Sequence, residues 1–149
     1  LANIRKKIKF AFIGAGQIIS AKKRKKIYNN LKKNGFSLPK IISLHSLVSE
    51  TSEIGEGTII MNFVHINRNV KIGKNCIINT GSNLEHDVEI GDFVHISTGA
   101  IVNGNTSIGS NTFVGSGSII NNNIKIGKNC IIASGSVVKK NLKSGTIYK

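Results

Sequence analysis

From Ile42 to Val138 an aliphatic residue falls at every sixth position without a miss, seventeen in a row. Four residues after each comes a small or β-branched one, among them Thr58, Val70, Cys76, Ser82, Ala100, Thr112, Ser118 and Cys130. The positions between are mostly Asn, Ser, Lys and Gly. Neither the period of an α-helix nor the plain alternation of an open strand gives this pattern. It is a hexapeptide repeat, and such repeats stack into a parallel β-helix. The large aliphatic fills the axis, and the small residue turns in beside it, where a bulky one would crowd it.

A second period sits on the first. Ile-Gly pairs fall at 54–55, 72–73, 90–91, 108–109 and 126–127, always eighteen apart. Three hexapeptides therefore make one triangular coil of three short strands, and coils stack at the ordinary strand spacing of about 4.8 Å. The recurring glycine marks one edge of the prism, where its tolerance of unusual backbone dihedrals is expected to be the reason for it. The coils run without inserted loops until Val138, after which KKNLKSGTIYK leaves the phase.

Before the repeat the pattern changes. IKFAFI at 8–13 reads as a buried strand, Gly14-Ala15-Gly16 as a tight turn, and Ser20 as the cap of a helix running to about Asn34. Ile27, Tyr28 and Leu31 share the apolar face of that helix, and Gly35 is a natural stop. Phe36 to Ile42 leads through Pro39 into the next strand. Residues 1–40 thus read as one β-α-β unit, too small to fold well alone and expected to pack on the first coils. Residues 41–149 read as the β-helix. A Gly-Ala-Gly after a strand hints at phosphate binding, but the full dinucleotide fingerprint is absent and a simple strand-to-helix turn explains it equally well.

Charge separates the same two regions. Residues 1–40 hold 12 of the 21 Lys and Arg and no acid; all 7 acids lie between Glu50 and Asp92. A basic head attracts anions, and phosphate-bearing small molecules suffice as its partners. No aromatic-studded or recognisable nucleic-acid motif accompanies the charge, so no nucleic-acid partner is expected. Cys76 and Cys130 both face inward by phase and lie three coils apart, about 14 Å along the axis. That is too far for a disulfide, and two buried free thiols fit a reducing cytoplasm. Arg5 to Lys9 followed by FAFIGAGQII resembles a signal peptide, but the apolar run is short and the small-residue site at Ser20-Ala21 is generic. No run reaches transmembrane length, so no membrane partner is expected.

Four histidines carry the candidate chemistry: His45, His65, His86 and His95. A histidine on a β-helix is usually a surface residue. His86 has the richest surroundings, in Asn83-Leu84-Glu85-His86-Asp87, where either carboxylate could hold its tautomer and raise its basicity. Gly104 comes eighteen residues later and stacks directly on it; a bare N–H beside a general base can stabilise an oxyanion. Asn79 lies one edge earlier, and His95 half a coil later on another edge. A metal site is the competing use, but His65, His86 and His95 occupy different phases of the coil and do not converge.

The stretch Ile78-Asn79-Thr80-Gly81-Ser82-Asn83-Leu84-Glu85-His86-Asp87, followed by Ile90-Gly91-Asp92-Phe93-Val94-His95-Ile96-Ser97, resembles bacterial hexapeptide-repeat sugar acetyltransferases. The branch is that of the sialic acid O-acetyltransferases and the UDP-4-amino-sugar N-acetyltransferases of bacillosamine synthesis. The repeat alone points to β-helix acyltransferases in general; the EHD and FVHIS pair narrows it. FIGAGQIISAKKRKKIYNNLKKNGFSLPKII resembles the second half of that family's nucleotide-sugar domain, a partial Rossmann-like unit.

The resemblance implies a mainly β fold, a left-handed parallel β-helix, and a cytoplasmic homotrimer with active sites between subunits. It implies acetyl-CoA as co-substrate, no metal, and a nucleotide sugar or sialic-type sugar as acceptor. By position, His86 matches the catalytic base and Asp87 the acid that tunes it. Asn79 matches a residue near the reacting group, and His95 one that contacts acetyl-CoA. Gly104 matches the position whose N–H meets the acetyl carbonyl, and Ser116 and Ser134 match contacts to the pantetheine arm. Gly14 and Gly16 match a loop near the sugar nucleotide. The family has a further strand and Gly-rich loop at its start and a Gly-Asn-Pro-Ala-type segment at its end, so the sequence looks like a fragment or a shortened product. Acetylation of an amine or hydroxyl on a bacterial surface-glycan sugar is the leading expectation. A catalytically weak trimeric scaffold or sugar-nucleotide binder is the alternative, and a β-helical metalloenzyme comes third.

Overall fold

The computed structural model describes residues 2–149. Two helices, α1 (Ala2–Arg5) and α2 (Lys22–Lys33), precede a parallel β-solenoid of about six coils. Every strand is two residues long, and each ends on the aliphatic position of its hexapeptide from Ile42 to Val138. The first face of the prism stacks seven strands, from Ile41–Ile42 through Ile77–Ile78 and His95–Ile96 to Ile147–Tyr148. The second stacks six, from Leu47–Val48 through Asn83–Leu84 to Val137–Val138. The third stacks five, from Glu53–Ile54 to Lys125–Ile126. All strand pairing is parallel, and up to Val138 the partners are eighteen residues apart, as in Asn83↔Ile101 and Leu84↔Val102.

The expected inward positions form one axial core. Ile60, Ile78, Leu84, Ile96, Ile120 and Ile132 are fully buried, with Val70, Cys76, Ala100, Thr112, Ser118 and Cys130 turned in beside them. Most of the inward hydroxyls bond backbone carbonyls, Thr58 Oγ1 that of Gly73 on the next coil at 2.8 Å and Ser82 Oγ that of Asn79 at 2.7 Å, so their burial is compensated. Full burial of each aliphatic contributes about 1.5–3 kcal/mol. Cys76 and Cys130 are buried free thiols, and burial pushes the Cys76 thiol up to about 12.

Two expectations about the solenoid need correction. The glycines at 55, 73, 91, 109 and 127 do not carry positive φ. They are glycines because coils stack on them: a Cβ on Gly109 would sit 2.6 Å from the Gly127 carbonyl carbon and the Lys128 nitrogen. Positive φ occurs instead at every sixth residue from Gly57 to Gly135, two residues after each Gly-type corner begins, and is carried by Gly, Asn, Asp and two Phe. Nor does the stack end at Val138. Residues 139–149 add a shortened coil in which Ile147 pairs with Ile131, sixteen residues back, and Leu142 bridges Ile126.

The β-α-β unit is present only in part. Its helix forms, with Ile27, Tyr28 and Leu31 packed against Ile13, Phe36 and Leu38. It begins at Lys22 with Ala21 in the cap position, and Ser20, one residue earlier, accepts from the Lys22 N–H at 3.2 Å. At its far end Gly35 (φ 79) and the bonds Gly35 N–H to Lys32 O and Phe36 N–H to Leu31 O close the helix as expected. The segments on either side of α2 meet at a single parallel bridge, Phe10↔Ser37. The ladder stops there because its next donor would be Pro39, which has no N–H, and the Ile41 N–H goes to Thr58 O of the solenoid; the carbonyls of Ile13 and Ala15 are held by the Arg24 guanidinium.

Candidate active site

The positive-φ corners make three columns along the prism, one per edge. Between the first and second faces the column is Phe63, Gly81, Gly99, Gly117 and Gly135; between the second and third it is Asn69, Asp87, Asn105 and Asn123. Asn and Asp tolerate this conformation because their short polar side chains bond locally. The chemistry-bearing residues ride on these corners.

His86 and Asp87 occupy the second-to-third edge. His86 Nδ1 lies 2.9 Å from Asp87 Oδ2, and both side chains are partly exposed. Hydrogen bonds from His86, then from Asn69, hold the Asp87 carboxyl below its ordinary range. An ionised carboxylate only accepts, so the proton sits on Nδ1 and Nε2 is left as the basic nitrogen. Glu85 takes no part in this pair. It accepts from Asn83 Nδ2 and Asn67 Nδ2, each at 2.8 Å, and these bonds lower its pKa. Of the two acids beside His86, the structure therefore selects Asp87.

The imidazole lies flat against the next coil at Gly104. A Cβ there would stand 2.6 Å from His86 Cε1 and 2.7 Å from Nε2, so only glycine fits. On the third-to-first edge three corner N–H groups find side-chain acceptors one coil on: Lys74 N–H on Asp92, Asp92 N–H on Ser110, Lys128 N–H on Ser144. Among the described residues the Gly104 N–H has no such acceptor. A backbone donor without a side-chain acceptor thus borders the imidazole Nε2.

Asn79, Ser116 and Ser134 lie on the first-to-second edge. Asn79 Oδ1 accepts from the Thr80 N–H at 2.8 Å, and the Ser116 hydroxyl donates to Ser97 Oγ at 3.2 Å. Gly81, Gly99, Gly117 and Gly135 line this edge with no atom within 4 Å of where a Cβ would be, leaving a continuous strip free of side-chain bulk. Within one chain these residues do not meet His86, because the second face lies between the two edges.

His95 is on the first face and also away from His86. It is buried, its Nδ1–H donates to the Gln17 carbonyl, and its ring meets Phe113 edge-on at 5.3 Å. Burial lowers its pKa, and its buried Nε2 has no partner. Gly14 and Gly16 are exposed on the loop that Arg24 grips, with Arg24 Nη1 at 3.1 Å from Ile13 O and 2.5 Å from Ala15 O.

Three residues that organise this loop escaped the sequence reading. Arg24, 1% exposed, also bonds Asn75 Oδ1 and thereby ties the loop to the solenoid. Its signal was a single Arg in a run of Lys, in phase with Ile27 and Leu31 on the apolar face of α2. Gln17 donates to Phe93 O at 2.7 Å, and nothing in its neighbourhood announced that. Phe93 holds a corner (φ 56) that other coils give mainly to Gly, Asn or Asp, and that departure was legible. Its ring meets Tyr28 edge-on at 5.3 Å and lies under the Lys25 ammonium. Among the described residues no cluster of three or more His, Cys, Asp or Glu could hold a metal ion. No helix there is long and apolar enough to cross a membrane.

Comparison with known proteins bears on this geometry. Residues 51–86 and 105–140 match the family described as bacterial transferase hexapeptide (six repeats). PerB from Caulobacter crescentus, solved with CoA and GDP-perosamine, is 30% identical with a TM-score of 0.92, over 96% of this chain and 68% of that one. WeeI from Acinetobacter baumannii AYE is 33% identical with a TM-score of 0.83, over 89% and 65%. The acetyltransferase domain of PglB from Neisseria gonorrhoeae FA1090 is 30% identical with a TM-score of 0.82, over 84% and 61%. The chain thus spans 61% to 68% of the length of these three structures. No curated protein sequence matches it.

Proposed function

This chain belongs to the bacterial hexapeptide-repeat sugar acetyltransferases, and on that premise we propose that it moves an acetyl group from acetyl-CoA to an amine or hydroxyl of a nucleotide sugar or sialic-type sugar. The observation that carries the reading is the His86–Asp87 pair, 2.9 Å apart, with the free imidazole nitrogen laid against Gly104. Asp87 fixes the proton on Nδ1. Nε2 takes a proton from the acceptor as its nitrogen or oxygen attacks the thioester carbonyl. The Gly104 N–H steadies the tetrahedral oxyanion. The carbon–sulfur bond breaks, and His86 returns the proton so that CoA leaves as the thiol.

Acetyl-CoA lies along the strip of Gly99, Gly117 and Gly135, with its pantetheine arm past Ser116 and Ser134, and His95 and Asn79 lie beside the reacting end. Gly14 and Gly16, in the unit of residues 1–40, face the nucleotide sugar, while residues 41–149 form the acyltransferase domain. These sites require more than one chain, since the strip and His86 are on different edges. The second face between those edges carries the half-exposed, outward Ile101 and Ile119 and the exposed Val137. The third face instead carries the charged column Glu53, Lys71, Glu89 and Lys125. Packing second faces around a threefold axis covers the apolar column and brings the strip of one copy to the His86 edge of the next. We accordingly infer a homotrimer of left-handed β-helices, in the cytoplasm, where the buried thiols of Cys76 and Cys130 stay reduced.

The test is CoA release from acetyl-CoA with a panel of nucleotide amino sugars and sialic-type acids. His86→Ala should lower turnover by roughly 10²–10⁴-fold. Wild-type turnover in that variant would end the general-base reading. No release with any acceptor, with acetyl-CoA still bound, would favour a scaffold or binding protein.

A further inference from the structure

A column of hydrogen bonds climbs the His86 edge from below. The Asn69 N–H donates to Thr51 Oγ1 at 3.0 Å, which seats Asn69 one coil beneath Asp87. Asn69 Nδ2 then donates to Asp87 Oδ1 at 3.1 Å, while Asp87 Oδ2 meets His86 Nδ1 at 2.9 Å. Thr51, Asn69 and Asp87 are eighteen residues apart and line one open groove of about 710 Å3. The two oxygens of Asp87 are thus divided between two partners, and the division is set by stacking. We propose that Asn69 is a positioning residue of the acetyl-transfer site: its amide clamps one oxygen of Asp87 so that the other is held on His86 Nδ1.

The physical need is specific. Asp87 is exposed and sits at a corner, where nothing else limits rotation of its carboxylate. A freely turning carboxylate would leave His86 for part of the time, and the imidazole would then change tautomer or swing off Gly104. The column continues above the site in another form, where Asn105 Nδ2 donates to Asn123 Oδ1 at 2.7 Å and meets no charge. Asn69 differs from those corners because its amide ends on a carboxylate. Other charges near the pair are Glu85 beside it, Arg68 and His65 on the preceding coil, and Lys71, Glu89, Glu53 and Lys125 around the groove. None of them is within ion-pair distance of Asp87, so none substitutes for the amide.

The inference rests on His86 as the base, so the experiment separates the two. Asn69 carries φ 57, and both Gly and Asp accept that conformation. Asn69→Gly removes the clamp, and Asn69→Asp replaces the donor by a second carboxylate of nearly the same shape. The first readout, the nitrogen NMR shifts of the neutral His86 ring, reports its tautomer and requires no acceptor. Asn69→Asp should mix the two tautomers, since a second carboxylate repels Asp87 where the amide held it. Asn69→Gly should mix them too, because the carboxylate is no longer held on the ring. With whichever acceptor releases CoA, Asn69→Gly should lower kcat about tenfold and leave KM within about twofold. A residue that only turned the corner would leave the tautomer unchanged in both variants, and that result overturns the proposal. If Asn69→Gly also lowers the melting temperature, Asn69→Asp decides alone. Turnover lost in His86→Ala but unchanged in both Asn69 variants sinks the clamp and leaves the base standing; turnover retained in His86→Ala sinks both.

Discussion

The solenoid and the unit before it are held by different physics. In the solenoid one contiguous apolar cluster runs from Ile60 to Leu142, and each coil repeats the contacts of the last. In residues 2–40 the apolar cluster is four buried side chains, Ile13, Leu31, Phe36 and Leu38, too few to hold the unit alone. It is docked instead by single polar contacts: Arg24 to Asn75, Gln17 to Phe93 O, His95 to Gln17 O, and Tyr28 and Lys32 to Glu56. Repetition makes the solenoid tolerant of the chemistry of any one outward side chain and intolerant of any change in coil spacing. The docked unit is the reverse.

One substitution made in both regions tests this most sharply. Gly109→Ala pushes a methyl to 2.6 Å from the backbone of the next coil, with no flexible side chain to yield. Over-packing of this kind costs about 3 kcal/mol or more, because two strands must separate. Gly16→Ala meets no atom within 4 Å at a residue without positive φ, and should leave stability unchanged within about 0.5 kcal/mol. Denaturant unfolding of the two variants gives the comparison. Equal losses would mean that the loop at Gly16 is as tightly built as the stack.

The same contrast explains what could be read from the chain. A period repeated seventeen times averages out local exceptions, so the prism, its core residues and the stacking of Gly104 on His86 were all legible. The reason for the Ile-Gly edge was misread because composition does not distinguish a glycine required by φ from one required by contact. The residues alone left Asp87 and Glu85 open and only the resemblance named Asp87, since the pairing depends on where Asn67 and Asn83 place their amides. The division of the site between two edges follows from the eighteen-residue phase, yet no single-chain reading joins His86 to Ser116 and Ser134. In the unit before the solenoid the helix and its Gly35 stop were clear. The strand ladder stops where Pro39 has no N–H to give and Ile41 turns to Thr58 of the solenoid, a docking that leaves no period.

Arg24 is the next place to break the comparison. Burial lowers the pKa of its guanidinium, so the charge is held at a cost, and no carboxylate lies against it. Arg24→Met relieves that cost but strands the carbonyls of Ile13 and Ala15 and the amide oxygen of Asn75. Each stranded acceptor is worth about 1–3 kcal/mol, so loss should win, by a net of about 2–3 kcal/mol. Amide exchange should quicken across Lys22–Lys33 while Ile77–Ile78 and Ile131–Ile132 keep their protection. Loss of protection in the solenoid as well would show that the two regions fold as one.

The smallest effect is electrostatic and can be followed with pH alone. Hydrogen bonds from Tyr28, then from Lys32, hold the Glu56 carboxyl below its ordinary range. A depressed carboxylate contributes stability above its unfolded pKa and loses it as pH falls through the folded one. The contribution is therefore complete near neutrality and fades below about pH 4. Tyr28 is shifted the other way, by burial first and then by Glu56, so its share is complete below its unfolded pKa and fades only in strong alkali. The docking contact thus has an acid edge that the apolar stack lacks. Lys32 and Glu56 are both partly exposed and screened, which keeps the effect under about 1 kcal/mol. Glu56→Gln should reproduce at pH 7 the faster exchange of α2 that the wild type shows near pH 3, and should remove the pH dependence between them. An α2 whose exchange, corrected for intrinsic rate, ignores both the mutation and the acid would place its anchorage wholly on Arg24 and Gln17.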